Sequence, residues 1–173
     1  MRAVPEDEEG VDVGFLEREM AGCEREWLKS REWLKSGDVP VYKPERERAK
    51  VYRHVIYCVP TFGNPSSRTM TLGRRRALVR LARRFDALLV ADDVYDFLQW
   101  DAPGCEGGKG PEPGHLPRLV DVDRGIDGGA EREGADGFGN AASNGSFSKI
   151  VGPGVRCGWV EGTKKFAYGV SQT

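Results

Sequence analysis

Lys149 lies in a stretch that reads GSFSKIVGPGVRCGWVEG from Gly145 to Gly162, with Ser146 and Ser148 before it and Arg156 seven residues after it. Two other places carry groups able to do chemistry. Asp92, Asp93 and Tyr95 follow one another in DDVY, and Asn64 sits in FGNPSS. Singly, each has a plain explanation. An Asn-Pro pair makes a turn, two aspartates after a strand cap the next helix, and a lysine among glycines faces solvent. Jointly they are an amine, a guanidinium, a carboxylate, a phenol, an amide and two hydroxyls, a set that fits one charged cofactor.

The elements that must position these groups are legible in outline. HVIYCVP, His54 to Pro60, is a short β-rich apolar run closed by proline, which predicts a buried strand. TFGNPSSR follows as a loop. Thr71 can cap a helix in which Leu78, Leu81, Ala82 and Phe85 recur with helical spacing. Arg74, Arg75, Arg76, Arg80, Arg83 and Arg84 form a basic stripe on its other side, expected to be solvated. ALLVADD, Ala87 to Asp93, predicts a second buried strand ending on two carboxylates, and VRCGWVEG a third. Strand, helix, strand with short connections implies an α/β fold with a mostly parallel sheet and flanking helices. Ligands in such sheets bind beyond the carboxyl ends of the strands, where PTFGN and DDVY both fall.

Composition narrows the partners. The 173 residues suffice for one domain with a modest core. Lys+Arg 26 against Asp+Glu 27 leaves a net charge of -1, so no global field argues for nucleic acid or an anionic membrane. No apolar run reaches the length of a membrane span, and the acidic start MRAVPEDEEG has no apolar signal region. Cys23, Cys58, Cys105 and Cys157 are widely spaced without a CxxC pair, which argues against a metal site and for reduced thiols in a cytoplasmic protein.

Two stretches stand apart. REWLKS occurs twice in succession, from Arg25 to Ser36, and reads as a small tandem duplication lengthening a loop or helix end. Residues 101–140 are rich in glycine, proline and charge, and such a stretch buries too little apolar surface to offset its ordering entropy. The expectation is a flexible insertion in which HLPRLVDVDRG, His115 to Gly125, is the part that docks.

VPTFGNPSSRTMTLGRRRALVRLARRFDALLVADDVYDFLQW, together with GSFSKIVGPGVRCGWVEG, resembles the fold type I pyridoxal 5'-phosphate enzymes, in the class I/II aminotransferase group with its fungal 2-aminoadipate and aromatic members. The resemblance implies that Lys149 is the catalytic amine that forms a Schiff base with the cofactor aldehyde and later moves the substrate Cα proton. An ordinary lysine, with a pKa of roughly 10.4, is mostly protonated, so burial and the charge of Arg156 are expected to favour its neutral form. Arg156 and Ser146 would hold the phosphate, with Ser148 beside them. Asp92 would pair with the pyridine nitrogen, the family spacing Asp-x-x-Tyr favouring it over Asp93. Tyr95 and Asn64 would bond the phenolic oxygen of the ring.

The resemblance further implies amino acid and 2-oxo acid substrates, a homodimer in full-length members, and a chain that is a partial large domain. On that reading residues 1–100 are the first part of the large domain, 101–140 the insertion, 141–163 the lysine and phosphate segment, and 164–173 a tail. The same constellation would serve a lyase or decarboxylase of this fold, and a non-catalytic remnant acting as a binding partner is the alternative from another class.

Overall fold

The computed structural model describes residues 2–33, 48–98 and 116–172, without the side chains of 30–33. A two-stranded antiparallel ribbon, β1 (Glu6–Asp7) and β2 (Gly10–Val11), leads into α1 (Val13–Trp33). Then come β3 (His54–Cys58), α2 (Leu72–Arg84), β4 (Ala87–Asp92), α3 (Leu119–Gly125), β5 (Ala141–Ser146), β6 (Gly158–Glu161) and α4 (Lys164–Val170). The main sheet has the order β3-β4-β5-β6, with the first two pairings parallel and β5–β6 antiparallel. This is the α/β architecture with a mostly parallel sheet that the pattern predicted.

The core lies between one face of the sheet and α1, α2 and α3. Ile56, Cys58, Leu89, Ala91 and Ala141 point into it from the strands, and Leu78, Val79, Leu81, Ala82, Leu119 and Val122 meet them from the helices. Each buried Leu or Val there contributes on the order of 1.5–3 kcal/mol. Thr71 caps α2 as its sequence suggests, its hydroxyl accepting from the Arg74 amide at 3.2 Å. Phe85, the last of the predicted apolar row, closes the helix as its C-cap and is half-buried.

The structure departs from the sequence expectations in some places and refines them in others. The basic stripe of α2 is not all solvated. Arg75 is fully buried, its guanidinium donating to the carbonyls of Met70 (3.0 Å), Pro117 (2.9 Å) and Pro60 (3.2 Å) and to the Thr61 hydroxyl (2.9 Å). Arg83 turns inward too, bonding the buried Asp123 at 2.9 Å. A guanidinium's five donors explain both, since each can satisfy carbonyls that burial would otherwise orphan.

The last segment expected as a strand is shorter, with β6 starting at Gly158, and a strand the pattern missed, AASNGS (Ala141–Ser146), supplies the third parallel strand. Residues 101–115 of the expected insertion lie outside the described residues. From 116 onward the chain forms α3, with Leu119 and Val120 buried, then a 3-10 turn at Gly129–Glu131. The duplicated hexapeptide does lie at a helix end: α1 runs through the first REWLKS copy and ends at Trp33, and the remainder of the second copy lies outside the described residues.

Candidate active site

Two of the parallel strands, β4 and β5, each deliver one of the sequence-predicted groups to their carboxyl ends. Asp92 is the last residue of β4, and Tyr95 sits in the turn just after it. Ser146 is the last residue of β5, and its hydroxyl accepts from the Ser148 amide at 3.1 Å, starting the turn that carries Lys149. The Lys149 amine stands 5.9 Å from the centre of the Tyr95 ring. Arg156 precedes β6 in a left-handed conformation (φ 50°) and is exposed. Asn64, exposed in the loop beyond β3, belongs to a cis Asn64-Pro65 bond.

The structure thus brings Asp92, Tyr95, Ser146, Ser148 and Lys149 to neighbouring strand ends, while Arg156 lies just before β6 and Asn64 on the loop that follows β3. One expectation is not met. Lys149 is exposed rather than buried.

Alternation along β4 separates the two aspartates. The Asp92 carboxylate lies on the sheet face that carries no helix among the described residues, whereas Asp93 turns to the helix face and is buried. Ser143 donates to Asp93 Oδ2 at 2.5 Å, while Asp93 Oδ1 has no partner among the described residues. Burial pushes the Asp93 carboxyl up to about 6, with the Ser143 bond pulling the other way.

Two participants escaped the motif reading. The Tyr57 hydroxyl donates to Asp92 Oδ2 at 2.7 Å, and the Asn144 side-chain amide donates to Oδ1 at 3.3 Å. The bond to Asp92 foremost, with burial adding to it, pushes the Tyr57 phenol up to about 12. Period-two counting could have found both, since Tyr57 lies an even number of residues from the exposed Val55 and Asn144 pairs directly with Asp92.

Gly145 has a steric role beside the site. A Cβ there would fall 2.2 Å from the Trp159 ring of β6, which also lies against Phe97 and Phe147. A polar cavity opens at the other end of the sheet, near the start of β4, lined by Lys50, Arg83, Asp86, Arg132, Asp136 and Asn140. Its lysine is already shared by Asp86 and Asp136 at 2.7 Å each, which leaves it little to offer a ligand. The groups that the sequence singled out lie instead at the strand ends.

No family model matches the chain. An uncharacterized protein of Saccharomyces cerevisiae is 45% identical over 112 residues, covering 65% of this chain and 23% of the yeast protein. An aromatic amino acid aminotransferase of Schizosaccharomyces pombe is 32% identical over 122 residues, covering 65% of this chain and 22% of its own length. Over about two thirds of its length this chain is similar to proteins named as aminotransferases. The alpha-aminoadipate aminotransferase LysN of Thermus thermophilus, solved with N-(5'-phosphopyridoxyl)-L-leucine, shares its fold with a TM-score of 0.57 at 24% identity, over 98% of this chain and 31% of LysN. The chain spans under a quarter of the length of the two curated relatives. Among its described residues no helix is long and apolar enough to cross a membrane.

Proposed function

We propose that the chain supplies the lysine-bearing part of a pyridoxal 5'-phosphate site and that its activity is amino-group transfer between an amino acid and a 2-oxo acid. The observation that carries this reading is the approach of the Lys149 amine to the Tyr95 ring at 5.9 Å, beside the strand end that bears Asp92. The donor set fits the cofactor. Lys149 offers an amine for its aldehyde, Asp92 a carboxylate for its ring nitrogen, Tyr95 and Asn64 hydrogen bonds for its phenolic oxygen, and Ser146, Ser148 and Arg156 donors for its phosphate. When bound, the cofactor supplies an aldehyde that takes up amino groups and a ring that accepts electrons.

The rest falls to the chain. Lys149 holds the cofactor and moves the proton at the substrate Cα, a positioned transfer worth roughly 10²–10⁴-fold. Asp92 keeps a proton on the ring nitrogen. The name of the fission-yeast relative makes an aromatic amino acid the first substrate to try. The same reading places residues 1–100 and 141–163 in one cofactor-binding domain, separated by 101–140 and followed by a tail at 164–173. It also makes the working form a homodimer and its compartment the cytoplasm.

The test adds pyridoxal 5'-phosphate to the purified chain and records the visible spectrum, with Lys149→Ala in parallel. A band present in the wild type and lost in the variant supports the reading, and amino-group transfer from tyrosine to a 2-oxo acid completes it. A wild type without a lysine-dependent band overturns it.

A further inference from the structure

Asp92 is held from both sides. Tyr57 reaches it from β3 and Asn144 from β5, so each carboxylate oxygen takes a bond from a different strand, at 2.7 and 3.3 Å. We propose that Tyr57 is a positioning residue of the cofactor site, its hydroxyl fixing the plane in which the Asp92 carboxylate meets a protonated ring nitrogen. The inference rests on the function proposed above.

Three observations argue for it. Tyr57 is 64% exposed, so the ring contributes little to the core and packing alone does not account for a phenol at this position. A carboxylate oxygen has two lone pairs, so Oδ2 can accept from Tyr57 and still accept a second donor. And the bond is charge-assisted, the kind strong enough to hold an otherwise rotatable carboxylate. Among the described residues, the charged and titratable groups around the phenol are Asp92, Cys58 and Tyr95, and only Asp92 bonds it. Without the hydroxyl, Asp92 would keep its place in the strand and its bond to Asn144 but lose the donor that sets its orientation.

The experiment has one arm without cofactor and one with it. In the first, ultraviolet absorbance follows phenol ionisation, and Tyr57→Phe identifies which transition belongs to Tyr57. That transition lies near 12 in the wild type and drops toward the ordinary value of about 10 in Asp92→Asn. A Tyr57 transition unmoved by Asp92→Asn overturns the inference without reference to any cofactor.

In the second arm, Tyr57→Phe binds pyridoxal 5'-phosphate roughly ten-fold more weakly, the scale of one hydrogen bond to a charged group. The pH midpoint of its lysine-dependent visible band also shifts from that of the wild type. Tyr168→Phe, an exposed tyrosine on α4, behaves as wild type in both measurements. If Tyr57→Phe matches the wild type in affinity and pH profile, the inference falls while the proposed function stands. If the wild type shows no lysine-dependent band, both fall together.

Discussion

Asp92 and Asp93 are chemically identical neighbours that a strand points in opposite directions, and their surroundings give them different work. Asp93 titrates near 6, above the ordinary 3.8, because burial disfavours its charge more than the Ser143 bond favours it. The fold therefore prefers the neutral acid. That contribution is fully present below about pH 4 and is lost as the pH rises through about 6. Above that, the ionised group costs on the order of 3 kcal/mol. Asp93→Asn does not titrate, so wild-type stability should fall relative to the variant across that window and the difference should level off above it. Urea unfolding of both proteins at about pH 4, 5, 6 and 7 measures this. A difference that stays constant with pH would show that Asp93 carries no such burden.

Arg75 is the other residue whose role only the structure reveals. With the side chain removed, the carbonyls of Met70 and Pro117 lose the guanidinium donor, and that of Pro60 keeps only the Met70 amide. Arg75→Lys restores the charge but not the fork, and is expected to lose at least about 2 kcal/mol, close to the loss in Arg75→Ala. A lysine variant as stable as the wild type in urea would refute that account.

The elements were legible in proportion to how far their patterns were local. The strand around His54–Cys58, the strand Ala87–Asp92 and the capped helix between them declared themselves through apolar runs and helical spacing. β5 did not, because Ala-Ala-Ser-Asn-Gly-Ser has neither β-branched nor aromatic residues. It is a strand because it fits between β4 and β6, a tertiary fact. Gly145 makes the same point from inside β5, where the indole of its cross-strand partner Trp159 occupies the space a side chain would need. Gly145→Ala should therefore cost about 1–3 kcal/mol by overpacking, and Trp159→Leu should recover part of that loss in the double variant. At the start of α2, Thr71→Ala removes a capping acceptor and should lower stability by about 1 kcal/mol, read as a shift in the thermal midpoint.

Across the whole molecule, the strand-end location of the candidate site was legible before any side chain was placed, since the parallel α/β pattern already put PTFGN and DDVY together. What composition concealed was how one-sided the sheet is. Helices cover the face of Ile56, Leu89 and Ala91, while the face bearing Asp92 leaves Val55 68% and Val160 50% exposed. Exposed apolar strands recruit partners or aggregate. A Val55→Lys and Val160→Lys double variant should bind less of a fluorescent apolar dye than the wild type and precipitate at a higher concentration. Equal dye binding would mean that this face is not the sticky one.

The sheet order also sets a timetable for synthesis. β4 ends at Asp92 and its central partner β5 begins at Ala141, 49 residues later (141 − 92 = 49). At about 5–20 residues per second, a ribosome leaves the β4 edge without that neighbour for roughly 2–10 s. In that interval the nascent chain displays an unsatisfied apolar ribbon, which makes this the stage of its life at which a chaperone has most to hold.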